Sequence, residues 1–311
     1  MQGARSRRFD GAVDQHVSQE FDVSDPNQTP PDNPRQLYEG FGYRARKQLG
    51  QHFLIDAGIL HEIATLADIR QGDRVLEIGA GCGTLTLVLL QRGAEVDAVE
   101  LDDNAVEYLE ERLVPHFPLE LYGESALDVD YGEIFDSTPV SWKVVANLPY
   151  QVAAKILFRL FEYTERIEEM TLMFQKEVAQ CIVAEPGDSD YGRLSLMSKL
   201  YSDVHLPMIL PQDSFVPPPK VESAIVQFRP VPGSRIDDDA LRDAFARIVK
   251  AAFQARRKTL ANGLKALGCD KSLVEETLEA LELKQKIRPQ RVGFEDFVAL
   301  AQVLLDRGEL D

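Results

Sequence analysis

The stretch "VLEIGAGCGTLTLVLL", residues 75–90, decides the fold of this chain. It starts as a short apolar strand, turns at three glycines and continues as an apolar run of helical length. Gly79, Gly81 and Gly83 are spaced GxGxG, so the backbone can turn tightly and a ligand can approach it without meeting a Cβ atom. The stretch therefore predicts a strand, a ligand-binding turn and a helix.

The glycine spacing disfavours a nicotinamide dinucleotide as the ligand. The dinucleotide fingerprint GxGxxG requires glycine at position 84, where this chain has Thr84. A glycine-rich turn is a weak signal when it stands alone, because a tight strand-to-helix turn without any ligand has the same composition. The neighbouring strands are needed to decide between these alternatives.

Alternating strands and helices surround this turn and predict an α/β fold. Five short apolar runs, most of them separated by helical patterns, are expected as strands. They are "RVLEI" (74–78), "EVDAV" (95–99), "LELY" (119–122), "KVVA" (143–146) and "MTLMF" (170–174). Such alternation indicates a doubly wound, mostly parallel sheet covered by helices. Two later runs, "VHLPMIL" and "SAIVQF", are expected to form a strand pair.

The chain is predicted to have three regions. Residues 1–40 mix Pro, Asp, Gln and Asn, as in "DPNQTPPDNPRQ", and are expected to be a disordered tail. Residues 41–232 carry the α/β pattern, whose first helix has Asp56 as its expected N-cap. "PVPGSR" (230–235) is typical of a linker, and three amphipathic segments after it predict a small all-α domain over residues 233–311.

Composition limits the class of protein. No apolar run approaches the roughly 18 residues that span a bilayer, and no apolar stretch follows the basic N-terminus, so we expect a cytoplasmic protein without a membrane partner. The three cysteines are far apart and fit neither a disulfide framework nor a metal site. A net charge of -17 argues against binding nucleic acid over the whole surface, although local basic patches can still do so.

An acidic residue follows the strand after the glycine turn. Glu100 lies 21 positions after Gly79, where its carboxylate can accept hydrogen bonds from both hydroxyls of a ribose. Asp102 and Asp103 are alternatives, and Asp102 could instead cap the next helix. Glu77 could order the turn through backbone N–H groups or face a positive charge of a cofactor. Together these features resemble the class I methyltransferases, which implies S-adenosylmethionine as the cofactor.

The segment "VANLPYQV", residues 145–152, places a carboxamide, a rigid turn and an aromatic ring at a strand end. The amine of adenine is a poor nucleophile, and two acceptors can hold it with its lone pair aimed at a methyl group. The Asn147 side chain and the Leu148 carbonyl fit these roles, Pro149 keeps the turn rigid, and Tyr150 offers a stacking face for a flipped base. The alternative is an ordinary Pro turn with the Tyr side chain packed inward.

At this point the chain resembles the small-subunit ribosomal RNA adenine dimethyltransferases, the kasugamycin-sensitivity family. The resemblance runs from about residue 44 to the C-terminal helices and depends on an ordered set of motifs. They are "RKQLGQHFLID", "LEIGAGCGTLT", "VELD", "NLPYQV", "FQKEVAQCIVAEPGDSDYGRLSLM", "DSFVPPPKVESAIVQF" and "AFQARRKTLANGL". It implies dimethylation of two adjacent adenosines in the hairpin near the 3′ end of small-subunit rRNA, with a pre-30S ribosomal particle as the partner of a monomeric enzyme.

Site residues follow from this resemblance position by position. The implied cofactor contacts are His52, Leu54, Gly79, Gly81, Glu100, Ser125 and Asn147, and the implied target contacts are Asn147, Leu148, Tyr150 and Phe215. His52 stands where the family usually has Asn, and Ser125 where it usually has an Asp, with Asp128 as a possible substitute. The prolines at 217–219 are expected to form a stiff segment that presents Phe215 as a second aromatic over the base.

Basic residues cluster in the helical region. Residues 250–265 include Arg256, Arg257 and Lys258 without an acidic residue, and the resemblance favours RNA binding over a solvated helix face. The alternatives are a large-subunit rRNA adenine methyltransferase of the macrolide-resistance type, an enzyme that methylates a protein glutamine amide, and a non-catalytic assembly factor of the same fold. No metal site is expected.

Overall fold

A computed structural model describes residues 33–42, 49–254 and 258–310 of the chain. Its centre is a seven-stranded sheet in the order β4-β3-β2-β5-β6-β9-β7, beside a two-stranded sheet of β1 and β8. The strands are β1 (Phe53–Leu54), β2 (Arg74–Ile78), β3 (Glu95–Val99), β4 (Leu119–Tyr122), β5 (Trp142–Asn147), β6 (Ile167–Gln175), β7 (Ser202–Leu210), β8 (Phe215–Val216) and β9 (Ser223–Pro230).

The topology confirms the predicted doubly wound sheet. The first five strands in that order are parallel, whereas β9 and β7 are antiparallel to their neighbours. This is the Rossmann-like strand arrangement of the class I methyltransferases. The strands β2, β3 and β4 begin and end at the predicted residues. The strands β5 and β6 are longer than the predicted runs at both ends, by at most three residues at either end. The predicted pair after β6 is also present as β7 and β9.

Helices cover both faces of the sheet. The helices are α1 (Pro34–Phe41), α2 (Ala57–Leu66), α3 (Thr84–Gln91), α4 (Asp103–Arg112), α5 (Tyr131–Asp136), α6 (Ala153–Leu160), α7 (Lys176–Val183), α8 (Arg193–Tyr201), α9 (Asp239–Ala252), α10 (Leu260–Ala266), α11 (Lys271–Ala280) and α12 (Phe294–Asp306). Alternate side chains of one strand enter different cores: Val75 packs with α2 and α3, whereas Leu76 packs with α5 and α6. The Asp56 side chain caps α2, as expected.

Helix α1 corrects the predicted extent of the tail. Residues 34–41 are helical, with the Asn33 side chain accepting a hydrogen bond from the Arg35 N–H group, so the tail prediction is wrong for residues 33–40. Leu37 is completely buried in the core that includes α2 and α3. The packing of Leu37 in this core stabilises the helix although the sequence around it is rich in Pro. Residues 1–32 lie outside the described residues.

The C-terminal region is helical. Helices α9 to α12 bury a core of their own, in which Phe245, Phe297 and Leu300 are completely buried. The same core includes Leu196 and Leu200 of α8. The helical region is therefore packed against the α/β region, and α8 contributes to the core of the helical region.

Buried charges occur at the amino ends of the central strands. Arg74 of β2 binds Asp97 of β3 at 2.5 Å, and the Asp97 side chain is only 4 % exposed. Lys143 of β5 binds the Asp73 carboxylate at 2.8 Å and the Asp68 carbonyl at 2.6 Å. Each buried charge at this end of the sheet has an opposite charge within hydrogen-bond distance, as burial of a charge requires.

Candidate active site

A cavity of about 240 Å³ lies at the carboxyl ends of the central strands. It is bounded by the turn after β2, the residues after β3, the turn after β5 and the segment leading into β1. Ligands of open α/β sheets bind at this edge, where successive strands turn to opposite sides. Gly79, Gly81, Glu100, Asn147 and Tyr150, which lie in three separate sequence motifs, all line this one cavity.

The glycine turn touches the Asn-Leu-Pro-Tyr turn directly. Gly79 has φ +79°, and a Cβ atom there would lie 3.4 Å from the Asn147 carbonyl oxygen and 3.7 Å from Pro149 Cδ. Gly81 has φ +55°, and its Cβ atom would lie 3.0 Å from the ring of Phe53. Both positions therefore need glycine for backbone conformation, and Gly81 needs it for space as well. The predicted glycine turn is present and lines the cavity, and the approach of a ligand to it stays a prediction.

The Glu100 carboxylate connects two segments at the cavity by accepting hydrogen bonds from backbone N–H groups. Its Oε2 accepts from the Gly81 N–H group at 2.7 Å and its Oε1 from the Asp102 N–H group at 2.8 Å. Burial raises the pKa of this carboxyl group, and the backbone hydrogen bonds partly oppose the rise. Because each carboxylate oxygen has two lone pairs, both oxygens keep the capacity to accept from a ligand hydroxyl. The ribose contact itself stays a prediction.

The competing acidic residues have other positions. Asp102 is completely buried and caps α4 by accepting from the Asn104 N–H group. It also accepts a 2.9 Å hydrogen bond from the Gln51 side chain. Asp103 is exposed in the first turn of α4. The capping role considered for Asp102 is therefore present, and Glu100 is the member of this group that lines the cavity.

Glu77 is a second carboxyl group in the cavity wall. It is 1 % exposed, and its Oε2 has no hydrogen-bond partner among the described residues. Burial raises its pKa to about 8; hydrogen bonding with Thr86 in the first turn of α3 opposes the rise, and the Glu100 carboxylate adds to it. Of the two roles considered for Glu77, the hydrogen bond with the Thr86 backbone is compatible with ordering this segment, and the unpaired Oε2 is compatible with facing a positive charge.

Asn147 ends β5 with its amide orientation fixed. Its Nδ2 donates a 3.1 Å hydrogen bond to the His52 carbonyl, which can only accept. Its other amide atom, Oδ1, is therefore the acceptor that remains for a ligand. Since Asn147 and Leu148 both line the cavity, the predicted pair of acceptors lies beside the glycine turn rather than in packed interior.

Tyr150 and His52 form an aromatic pair at the cavity. Their rings stack with centroids 5.8 Å apart and an angle of 23° between the planes. The Tyr150 hydroxyl and Ser223 Oγ share a 2.5 Å hydrogen bond, and burial raises the pKa of the Tyr150 hydroxyl. His52 Nδ1 donates to the Pro217 carbonyl at 2.7 Å, since a carbonyl oxygen is an acceptor. Tyr150 therefore lines the cavity while its hydroxyl is directed at the buried Ser223, and the stacking role of its ring stays a prediction.

The two residues that differ from the family pattern, His52 and Ser125, also lie at the cavity. His52 and Ser125 line it, as does Leu54, while Asp128 is exposed on the surface. Ser125 Oγ accepts a 3.2 Å hydrogen bond from the Leu127 N–H group. Their expected cofactor contacts stay predictions, but the position of each side chain is compatible with them.

Phe215 differs from its expected position. It is 2 % exposed on β8, opposite Leu54 of β1, and belongs to the core that includes Met173 and Ile225. It is absent from the described lining of the cavity. The pairing of β8 with β1 turns this ring into the core, so the prediction that the proline segment presents Phe215 over the base is wrong for this structure.

The basic run is described in part. Lys258 is exposed, whereas Arg256 and Arg257 lie outside the described residues. Sequence analysis missed three cavity features: Gln51, whose side chain ties the β1 segment to Asp102, and Leu101 and Glu124 at the cavity edge. Leu101 is 51 % exposed. Its apolar side chain directly after Glu100 was the feature of the sequence that could have identified it as a cavity residue. Gln51 gave none, because its partner is 51 residues away.

The parallel sheet, the glycine turn and the acid after β3 define a class I methyltransferase fold. The profile of the family "Ribosomal RNA adenine dimethylase" matches residues 42–302, and the chain belongs to this family of enzymes. It is 39 % identical over 272 residues to "Ribosomal RNA small subunit methyltransferase A" of Pseudomonas aeruginosa, covering 87 % of this chain and 98 % of the relative. The relative of the same name from Geobacter sulfurreducens is 38 % identical over 273 residues, covering 86 % and 98 %.

Solved structures give the same assignment. A dimethyladenosine transferase from Plasmodium falciparum has a TM-score of 0.71 and 29 % identity, over 83 % of this chain and 98 % of that one. The 23S rRNA methyltransferase ErmE has a TM-score of 0.61 and 25 % identity, over 81 % and 99 %. Among the described residues, no helix is long and apolar enough to cross a membrane.

Proposed function

We propose that this protein transfers methyl groups from S-adenosylmethionine to the N6 amines of two adjacent adenosines in the 3′-terminal hairpin of small-subunit rRNA, during ribosome biogenesis. The observation that carries the proposal is the contact between the glycine turn and the Asn-Leu-Pro-Tyr turn. A cofactor over the first and an amine held by the second would be neighbours, because the Cβ position of Gly79 is only 3.4 Å from the Asn147 carbonyl oxygen.

The cavity residues fit the proposed cofactor. Glu100 would accept from the ribose hydroxyls, the glycine turn would lie under the amino-acid part, and Ser125 and Leu101 would border the adenine. The buried, unpaired Oε2 of Glu77 suits a positively charged group. When bound, S-adenosylmethionine supplies an electrophilic methyl group on a cationic sulfur.

Asn147 would orient the target amine. Because its Nδ2 is held by the His52 carbonyl, Oδ1 can accept one N–H of the amine while the Leu148 carbonyl accepts the other. Two acceptors on one amine direct its lone pair toward the methyl group, and this orientation is the main contribution that the protein makes to the rate. No general base is needed before transfer, because the amine loses its proton after the new N–C bond forms.

Tyr150 would stack on the flipped base. Its ring lies at the cavity and its hydroxyl is tied to Ser223, so the ring is held in place before the base arrives. The His52 ring covers one face of Tyr150, so the base would stack on the opposite face. A fixed aromatic ring reduces the entropy lost when the base is bound.

We also propose that residues 233–311 form the rRNA-binding region of a monomeric, cytoplasmic enzyme that acts on a pre-30S particle. Lys258 is exposed at the start of the segment before α10, next to Arg256 and Arg257 in sequence. Their charges would contact phosphates, and removing two of them should weaken RNA binding and reduce its salt dependence. An unchanged salt slope would contradict this role.

The large-subunit alternative is supported by the structural similarity to ErmE. The small-subunit substrate is favoured by the names of the 38–39 % identical relatives and the greater similarity to the dimethyladenosine transferase. A direct test is to incubate the protein and labelled S-adenosylmethionine with unmethylated small and large subunits and to map the methyl groups. Label on adjacent adenosines of the small subunit is expected; label on the large subunit alone would contradict the proposal. Subunit binding without label would favour a non-catalytic assembly factor.

A further inference from the structure

Glu77 is a buried acid that the proposed methyl transfer does not use. It lies on β2, between Ala98 of β3 and Val145 of β5, so apolar neighbours flank its backbone on both sides. Its side chain is removed from solvent and still lines the cavity, and its Oε2 has no hydrogen-bond partner among the described residues. A buried carboxyl oxygen without a partner is costly and indicates that a bound group satisfies it.

The charge around Glu77 is one-sided. The described lining of the cavity contains three glutamates and no Lys or Arg, so no cation of these residues pairs with the carboxyl group. The ionisable groups that interact with it electrostatically are Glu100 and Cys82, and the other ionisable groups that line the same cavity are Glu124, His52 and Tyr150. Burial raises the pKa of the Cys82 thiol to about 12, so it stays neutral. Glu100 differs from Glu77 because two backbone N–H groups bind its oxygens.

We propose that Glu77 selects for a cationic ligand: its carboxyl group keeps a proton in the absence of a cation and releases it to solvent when a positively charged centre of the cofactor lies beside it. The inference rests on the proposed function, because it takes S-adenosylmethionine as the ligand. The step is balanced, since the neutral acid becomes a carboxylate paired with the cation and the buffer takes up the proton. Neutral nucleosides would gain nothing from this group.

Proton release sets the pH dependence of binding. With a pKa of about 8, Glu77 is about nine-tenths protonated at pH 7, so about 0.9 proton should be released per cofactor bound. Because binding releases a proton, affinity should rise as pH rises, by about tenfold for each pH unit below about pH 8. Above this pH the carboxylate is already ionised, and the affinity should become constant.

Isothermal titration calorimetry of the full-length protein measures this directly. Titrations at pH 7 in two buffers with different ionisation enthalpies give the number of protons exchanged, and titrations from pH 6.5 to pH 8.5 give the affinity. The ligands are S-adenosylmethionine, S-adenosylhomocysteine, which keeps the ammonium group and loses the cationic sulfur, and 5′-methylthioadenosine, which lacks both cations. Release with the first two assigns the cation to the ammonium group, and release with the first alone assigns it to the sulfur.

Glu77→Gln is the informative variant, because it keeps the side-chain shape and removes the ionisation. It should bind cofactor at least tenfold more weakly at pH 8, release about 0.9 proton fewer than the wild type at pH 7, and show a flatter pH profile. The ligand's own ammonium group titrates alike in both proteins and cancels in the difference. Glu110→Gln removes the same charge from an exposed position on α4 and should leave the proton release unchanged.

The wild-type measurement is decisive even if the variant is unstable. Cofactor binding without proton release, equal release with 5′-methylthioadenosine, or equal release in Glu77→Gln would overturn the inference and leave the proposed function intact. A protein that binds none of the ligands would contradict the proposed function itself.

Discussion

The two ends of the central strands β2, β3 and β5 differ in whether their buried polar groups have partners within the protein. At the amino ends, Arg74 pairs with Asp97 and Lys143 with Asp73, so each charge has its partner within the protein. At the carboxyl ends, Glu77 is the last residue but one of β2 and Glu100 directly follows β3, and no Lys or Arg of the described cavity lining accompanies them.

This difference separates groups that stabilise the fold from groups that bind a ligand. A buried ion pair satisfies itself, and removing one partner costs stability because the other is left uncompensated. An acceptor that lines a cavity is satisfied only when something binds, so removing it should change affinity or rate more than stability. The following variants test this separation, from the largest expected effect to the smallest.

Asn147→Ala at the carboxyl end of β5 should have the largest effect. It removes the acceptor that orients the amine, and we expect methyl transfer to slow about a thousandfold, or about 4 kcal/mol. Single-turnover assays with unmethylated small subunits measure this rate, and calorimetry of cofactor binding is the control. Near-normal turnover would remove Asn147 from the chemistry, and a matching loss of cofactor binding would make its role structural.

Lys143→Met at the amino end of the same strand should lower the free energy of unfolding by about 3 kcal/mol. The substitution leaves the Asp73 carboxylate and the Asp68 carbonyl without their buried partner. Urea unfolding followed by circular dichroism measures the change. Glu39→Gln, which breaks an exposed ion pair with Arg35, is the matched control and should leave stability nearly unchanged. Equal losses in the two variants would contradict the comparison.

Glu100→Gln should weaken cofactor binding by about 2 kcal/mol, or roughly thirtyfold. One carboxylate acceptor becomes an amide donor that faces a backbone N–H group, of Gly81 or of Asp102. Asp97→Asn, three residues earlier, changes another buried carboxyl group, which lies in the middle of β3 and binds Arg74 at the amino end of β2. It should lower stability and leave cofactor affinity unchanged, so an equal loss of affinity in both variants would break the distinction between the ends.

His52→Asn should have the smallest effect. It restores the residue that the family usually has, removes the ring stacked on Tyr150 and leaves the backbone carbonyl that holds Asn147. Loss of one stacked pair is worth about 0.5–1 kcal/mol, so the KM for the RNA substrate should rise about two- to fivefold. His61→Asn on the exposed face of α2 should leave KM unchanged. A loss above a hundredfold would indicate that His52 takes part in the chemistry.

Most of the fold could be predicted because its signals are local. The strands β2 to β6 are short apolar runs between helical patterns, and the glycine turn and Asn147 follow two of them directly. The parallel topology then brings the strand ends to one edge, so two motifs more than 60 residues apart could be assigned to one site.

The misplaced features depend on long-range contacts that no local pattern records. Phe215 was expected at the cavity from the family resemblance, with the prolines at 217–219 presenting it, yet its pairing with Leu54 buries it. Helix α1 was assigned to the tail because its composition is polar, and Leu37 finds its place only in the assembled core. The unpaired oxygen of Glu77 is likewise a property of the folded protein, since the sequence shows an acid but not its partners.

Helix α1 has a practical consequence for choosing where the protein begins. Homology to the family starts at residue 42, whereas the folded chain already includes the helix from Pro34. Its rings pack on Phe53 and Tyr108, and the first of these lies against Gly81. A truncated protein that begins at residue 42 would therefore lack the rings that pack on Phe53 beside the glycine turn. Truncations for crystallisation should keep every residue from 33 onward.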